Sequence, residues 1–62
     1  MKKLKVGQKY KVDNEMLKKR FGKSIREYGE VEFIEIYSEN SGTCHFKTDT
    51  GEIITLKHYE VC

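Results

Sequence analysis

A chain of 62 residues has room for one core, because so short a chain buries only about 60% of its unfolded surface. Charged residues make up 35% of the sequence and the formal net charge is +2. The longest apolar runs are pairs such as Phe33 and Ile34, which excludes a spanning helix built from a continuous apolar run. We therefore expect a single soluble domain over residues 1–62, without a membrane partner.

The cysteine content bears on the redox compartment. Cys44 and Cys62 are the two cysteines of the chain, and no hydrophobic leader precedes its basic start. A secreted protein with a structural disulfide is therefore not indicated, and we expect both residues to be reduced thiols in a cytoplasm.

The charge is divided unevenly along the chain. Residues 1–26 carry ten basic side chains against Asp13 and Glu15, a net charge of +8. Residues 27–62 carry two lysines against eight acidic side chains, a net charge of −6. Such a division predicts either a basic surface that seeks a polyanion or two halves that neutralise one another in the fold.

The first predicted element is a short β-strand over residues 9–12. Tyr10 and Val12 fall on one face of this strand, and Lys9 and Lys11 fall on the other. The alternation predicts that the aromatic and aliphatic side chains face the core and that the lysines face solvent.

A helix of one or two turns should follow the strand. Asp13 or Asn14 is a suitable N-cap, Glu15 places a negative charge in the first turn, and Gly22 is a suitable C-terminal stop. Such a helix is too short to be stable without tertiary contacts.

The spacing within this helix predicts which side chains are buried. Leu17 and Phe21 lie four residues apart and should both face the core. Lys18 and Lys19 should point outward, and Glu15 should pair with Lys19 at the same spacing.

The second half of the chain has stronger strand signals. Over residues 30–37 the apolar positions are Val31, Phe33, Ile34 and Ile36, so the period of two slips by one residue in the middle of the strand. That slip predicts a β-bulge, or a strand that bends from one sheet into another.

The rest of the chain alternates turns with short strands. We predict turns at 38–42 and 49–51, strands at 43–48 and 52–56, one turn of 3₁₀ helix at 57–59, and a last strand at 60–62. Five short strands with tight turns are typical of a small barrel, which leaves no exposed sheet edge.

Several segments resemble a known family. Residues 29–31, the bent strand through Ile36, and residues 49–61 are similar to the small SH3-like barrel proteins of Gram-positive phages and prophages. The likeness covers about half of the chain. It implies an all-β (mainly β) fold, a five-stranded SH3-like barrel with a short helical insert between the first two strands. It also implies phage origin, but no particular activity, since that family includes nucleic-acid binders, protein-binding adaptors and inhibitors of host machinery.

The basic half of the chain indicates binding to nucleic acid or to a nucleoprotein complex. Lysine and arginine side chains neutralise phosphates and release counterions, which gives affinity with little sequence preference. The candidate contacts are Lys9, Lys11, Lys18, Lys19, Arg20, Lys23 and Arg26. Exposed aromatic side chains could stack on unpaired bases, and the candidates are Tyr10, Phe21, Tyr28 and Tyr37. The alternative for the same residues is an ordinary charged face in contact with solvent.

A second function is docking to a host protein, as an adaptor or a phage-encoded inhibitor. A charged face can steer a small domain toward a partner of opposite sign, and the acidic residues Glu30, Glu32, Glu35 and Glu39 supply one. Alternation of Glu30 and Glu32 with apolar residues is equally typical of a solvent-facing side of a sheet.

Catalysis and metal binding are disfavoured. Cys44, His45, His58 and Cys62 carry the residue types of a zinc site. Cys44 and His45 are neighbours on a predicted strand, so their side chains point to opposite faces and cannot easily share a metal. No nucleophile, base and acid can be grouped, and we expect a non-enzymatic protein without cofactors.

Overall fold

The computed structural model describes residues 3–62. It is mainly β, with four antiparallel strands in one open sheet and a single α-helix between the first two. The elements are β1 (Lys9–Lys11), α1 (Asn14–Phe21), β2 (Glu30–Ser38), β3 (Thr43–Lys47), β4 (Ile53–Lys57) and a 3₁₀ turn (His58–Glu60).

The strands lie in the order β1-β2-β3-β4, so each pairs with its neighbour in the sequence. Tyr10 is opposite Val31 in the first pair, and Phe33 is opposite Phe46 in the second. The connections after β2 and after β3 are short, so they bring those pairs together at little entropic cost, which suits a small domain.

The predicted fifth strand is not formed. Val61 makes one isolated bridge with Val12, and Cys62 exchanges two backbone hydrogen bonds with Lys11, at 3.2 and 2.8 Å. The 3₁₀ turn extends to Glu60 and leaves two residues beside β1, which is too few for a strand. The prediction of a closed five-stranded barrel is therefore wrong, and the sheet is open.

The predicted irregularity of β2 is confirmed. The register between β2 and β3 shifts between Phe33 and Glu35, and again between Ile36 and Ser38. An extra residue in one strand bends it and changes which side chains face inward. Phe33 is therefore buried while Ile36 is 42% exposed.

The core lies on one face of the sheet. The rings of Phe33 and Phe46 meet edge to face with their centroids 5.7 Å apart, an arrangement that adds about 0.5–1.5 kcal/mol to simple burial. The buried apolar residues are Val12, Leu17, Val31, Phe33, Cys44, Phe46, Leu56 and Val61. Cys44 is a fully buried apolar group, as its place on an alternating strand predicts.

Local capping determines where α1 begins and ends. The Asp13 carboxylate accepts a hydrogen bond from the backbone N–H of Met16 at 3.3 Å. The Asn14 amide donates to the Tyr28 carbonyl and accepts from the Tyr28 N–H, both at 2.8 Å. Gly22, with φ of 105°, donates to the Lys18 carbonyl and ends the helix, because only glycine adopts this backbone without strain.

The helix buries one side chain and not two. Leu17 is fully buried, whereas Phe21 is 53% exposed, so the prediction that Phe21 faces the core is wrong. Phe21 is the last helical residue, one turn beyond Leu17, and an eight-residue helix covers the core with one of its two turns.

Candidate nucleic-acid interface

The seven basic residues predicted to bind nucleic acid lie on different elements. Lys9 and Lys11 belong to β1. Lys18, Lys19 and Arg20 are in the last turn of α1. Lys23 and Arg26 are in the connection that follows α1. These residues differ in their neighbours, and the neighbours determine what each can bind.

The lysines of β1 lie beside carboxylates on the solvent-facing side of the sheet. Lys9 is opposite Glu32 and Lys11 is opposite Glu30 in the β1–β2 register. Glu32 is opposite Lys47 on its other side. Opposite charges at directly paired positions attract one another, so Glu30 and Glu32 offset part of the charge of the β1 lysines, although no ion pair forms between them among residues 3–62.

Lys18 is shared between two carboxylates. Its Nζ atom lies 2.8 Å from a Glu27 oxygen and 3.4 Å from a Glu15 oxygen. The hydrogen bond to Glu27 is the main reason why the pKa of Lys18 is raised, and the same bond lowers the pKa of Glu27. The predicted pairing of Glu15 with Lys19 is wrong, because Lys18 at the i,i+3 spacing takes that carboxylate.

Arg20 makes the closest ion pair of the described residues. Its Nε and Nη2 atoms donate to the two oxygens of Glu60 at 2.7 and 2.6 Å. Glu60 is 1% exposed, and its Oε1 atom also accepts from the Lys57 backbone N–H at 2.7 Å. The hydrogen bond to Glu60 raises the pKa of Arg20. This bidentate ion pair connects α1 to the C-terminal 3₁₀ turn.

Arg26 joins the connection after α1 to the turn before β4. Its Nη1 atom lies 3.0 Å from a Glu52 oxygen, and its guanidinium lies 5.0 Å from the centre of the Tyr28 ring. Both charged side chains are about half exposed, so this pair contributes little to stability.

Lys19 and Lys23 make no ion pair within residues 3–62. Together with Lys18 and Glu15 they line a groove of ≈ 470 Å³ along α1. Three lysines and one glutamate therefore line the groove, and a second carboxylate, Glu27, pairs with Lys18. We name Lys18, Lys19 and Lys23 the lysine face.

The predicted aromatic candidates separate into buried and exposed rings. Tyr10 and Tyr28 pack against the core, and the Tyr10 hydroxyl accepts a hydrogen bond from the Lys5 N–H at 2.9 Å. Phe21 is 53% exposed and Tyr37 is 67% exposed. The Tyr37 ring lies 4.8 Å from the His45 ring, centre to centre.

Sequence reasoning missed the partner of Arg20. Arg20 and Glu60 are 40 residues apart in the chain, and no helical or strand spacing connects them. The burial of Glu60 could not be predicted either, because a glutamate in a charged C-terminal segment is normally exposed to solvent.

The cysteine and histidine residues are dispersed. Burial raises the pKa of the Cys44 thiol, which favours its protonated, unreactive form. His45 Nδ1 lies 2.9 Å from a Glu35 oxygen. Among residues 3–62, no group of three His, Cys, Asp or Glu side chains is arranged to hold a metal ion.

Neither helical segment in the described part of the chain has the length and apolar character needed to cross a membrane. Comparison with known proteins finds no matching family model, no matching curated protein and no matching solved structure. Functional inference for this chain therefore depends on the chemistry of its own side chains.

Proposed function

We propose that this chain is a small non-enzymatic binding protein that contacts the phosphates of a nucleic acid, free or within a nucleoprotein complex, through the lysine face of α1. The observation behind the proposal is the groove along α1, which is lined by three lysines and one glutamate, and two of the three lysines have no ion-pair partner within residues 3–62. Unpaired lysines can displace the counterions condensed on a nucleic acid without first breaking an internal ion pair.

The lysine face is a better phosphate site than β1 for an electrostatic reason. Lys9 and Lys11 lie opposite Glu32 and Glu30, and a phosphate placed beside these lysines would also approach the two carboxylates. Lys19 and Lys23 have no ion pair within residues 3–62, and the carboxylates Glu15 and Glu27 both pair with Lys18.

We also propose a relationship with the small SH3-like proteins of Gram-positive phages and prophages, and with it a cytoplasmic protein of phage or prophage origin. Three features support the relationship: the antiparallel order of the four strands, the bulged β2, and the 3₁₀ turn that leads Val61 to its bridge with Val12. The open sheet and the helix α1 are the departures from the closed barrel of that family.

The test is binding of the purified chain to labelled single-stranded and double-stranded oligonucleotides at two or more salt concentrations. The variant Lys19→Gln/Lys23→Gln removes two charges from the lysine face. The matched control Lys9→Gln/Lys47→Gln removes two charges from the sheet, on either side of Glu32. Both variants have the same net charge, so the comparison isolates position from total charge.

We expect the lysine-face variant to lower the affinity at low salt and to reduce the slope of log affinity against log salt by about 1 to 2. The sheet variant should bind within about twofold of the parent, since its lysines lie opposite Glu32, whose carboxylate repels a phosphate. Equal loss in both variants would show that net charge alone matters. No binding by the parent at low salt would overturn the proposal.

One observation favours a second function, docking to a protein. Ile36 and Tyr37 in β2 and Ile53 in β4 are 42, 67 and 54% exposed, and exposed apolar side chains can contribute to protein-binding surfaces. Affinity capture with the chain as bait distinguishes the two functions, because a bound nucleic acid is removed by nuclease and a bound protein is not.

A further inference from the structure

Phe21 is exposed at a position where a helix of this amphipathicity should bury it. Its side chain is 53% accessible, while Leu17, one turn earlier, is fully buried. Phe21 is also the last residue of α1, next to the lysine face, because it follows Lys18 at the i,i+3 spacing that makes helical side chains neighbours.

The ring of Phe21 is supported from one side by a cation. The Arg20 guanidinium carbon lies 4.0 Å from the centre of the ring, which is the stacked geometry of a cation–π contact. One face of the ring is therefore covered, and the exposed fraction of the side chain leaves the rest open to a ligand.

The supporting guanidinium is itself held in place. Two short hydrogen bonds, of 2.7 and 2.6 Å, fix it on Glu60, and Glu60 is anchored by the Lys57 N–H within the 3₁₀ turn. A planar group held at two points loses little further freedom when a ligand binds. The arginine and the aromatic ring are thus arranged before any ligand arrives.

The other three aromatic residues predicted to stack on bases lack this combination. Tyr10 and Tyr28 pack against the core. Tyr37 is exposed, but its ring lies against His45, whose Nδ1 atom contacts the Glu35 carboxylate at 2.9 Å. A carboxylate beside a ring repels a phosphate backbone, so Tyr37 is less suited to a nucleic-acid ligand than Phe21.

We propose that Arg20 and Phe21 form a stacking platform for an unpaired base, and that the ligand of the lysine face is therefore single-stranded nucleic acid. This inference rests on the proposed function, since the lysines hold the phosphates of the same strand. Arg20 acts as a positioning residue beneath Phe21. A duplex offers phosphates to the lysines but keeps its bases stacked inside, so it gains nothing from the platform.

The experiment compares a single strand of about 10 nucleotides with the same strand annealed to its complement, at matched salt. The parent should bind the single strand more tightly. Phe21→Ala should weaken single-strand binding by about 5- to 100-fold and leave duplex binding and the salt slope unchanged. Phe21→Tyr retains a ring and should bind as the parent does. Tyr37→Ala, which removes an exposed ring elsewhere, should also match the parent.

A direct readout of stacking is available because the chain contains no tryptophan. Phe21→Trp places a single indole at the platform, and its fluorescence should be quenched by the single strand and not by the duplex. Circular dichroism establishes that each variant is folded.

The possible outcomes separate this inference from the proposed function. If single strand and duplex bind equally and Phe21→Ala binds as the parent does, the platform is overturned while phosphate binding by the lysine face stands. If neither ligand binds at low salt, both are overturned. Loss of duplex and single-strand binding together in Phe21→Ala would also contradict a role in stacking.

Discussion

The sheet and helix α1 place the same residue types in opposite environments. Phe46 in β3 is fully buried, and Phe21 in α1 is 53% exposed. Lys9 in β1 lies opposite a carboxylate, Glu32, in the strand register, whereas Lys19 in α1 lines a groove with two further lysines. In the sheet, Phe33 and Phe46 fill the core and the lysines of β1 lie opposite carboxylates, while α1 exposes its one aromatic residue, Phe21.

This difference shows how a very small domain can build its core from one part of the chain and leave another part accessible to a ligand. Nearly all of the buried apolar side chains come from the strands and the segments beside them, and α1 contributes Leu17 alone. The helix is also held by the Arg20–Glu60 ion pair and by the two hydrogen bonds between Asn14 and Tyr28. Most of its surface is therefore available for a ligand without loss of core packing.

The largest expected effect on stability comes from replacing a phenylalanine by alanine in each of the two regions. Phe46→Ala should lower the free energy of unfolding by about 3–5 kcal/mol, because it removes a fully buried ring and leaves a cavity. Phe21→Ala should lower it by less than about 1 kcal/mol, the value of an exposed cation–π contact. Urea denaturation of the two variants measures both quantities, and equal destabilisation would contradict the division between sheet and helix.

The second prediction concerns the link between the two regions. Glu60→Gln should lower the free energy of unfolding by about 1–3 kcal/mol, since the charged hydrogen bonds to Arg20 are weakened while Arg20 remains about one-third exposed. Glu39→Gln is the matched control, because Glu39 is exposed and has no ion pair within the described residues. Urea midpoints that coincide for the two variants would mean that the ion pair does not hold the helix.

The third prediction concerns the turn that joins β2 to β3. Gly42 has φ of 70°, and a Cβ atom built there would lie 2.6 Å from His58 Cδ2. Gly42→Ala should therefore destabilise the fold by about 1–2 kcal/mol, through backbone strain and displacement of the 3₁₀ turn. Gly29→Ala is the control, since its Cβ would meet nothing within 4 Å. Thermal melts that rank the two variants in the reverse order would contradict this account.

The smallest expected effect is a pH dependence at the surface of α1. The hydrogen bond from Lys18 lowers the pKa of Glu27 below its ordinary value of 4.5. A carboxylate with a lowered pKa in the folded state stabilises the fold above 4.5, and this contribution is lost as the pH falls through the lowered value. The Glu27 side chain is 63% exposed, so the contribution is small.

Urea midpoints measured above and below pH 4.5 test this prediction. Glu27→Gln should have a lower midpoint than the parent above that pH, and the difference should shrink below it. Glu39→Gln removes a carboxylate that has no ion pair in residues 3–62, so it should show no such convergence. A difference between Glu27→Gln and the parent that grows in acid would contradict the assigned direction.

Much of the local structure could be predicted from residue patterns. The bounds of α1, the bulge in β2, the turn at 49–51 and the inward alternation of Cys44 and Phe46 all follow from caps, glycines and the period of two. These features depend on neighbours within a few residues, and such contacts form in the same way wherever the segment lies in the fold.

The wrong predictions concern residues whose local sequence is compatible with more than one environment. The spacing of Leu17 and Phe21 fits a helix buried along both turns, but the sheet is covered by one turn only. Residues 60–62 suit a strand, but the 3₁₀ turn includes Glu60 and leaves only Val61 and Cys62 to pair beside β1. In both places the outcome depended on the length of one element, which is α1 for Phe21 and the 3₁₀ turn for residues 60–62.

The amino-acid sequence by itself determined the β-rich class, the short capped helix and the presence of a basic and an acidic half. Those properties follow from periodicity, capping and composition, which are local or summed quantities. Tertiary structure alone decided which charges meet: Glu30 and Glu32 came to lie beside the lysines of β1, Glu60 beside Arg20, and no carboxylate within residues 3–62 paired with Lys19 or Lys23. Electrostatic energy depends on distance in space, and strand register and chain reversal set those distances.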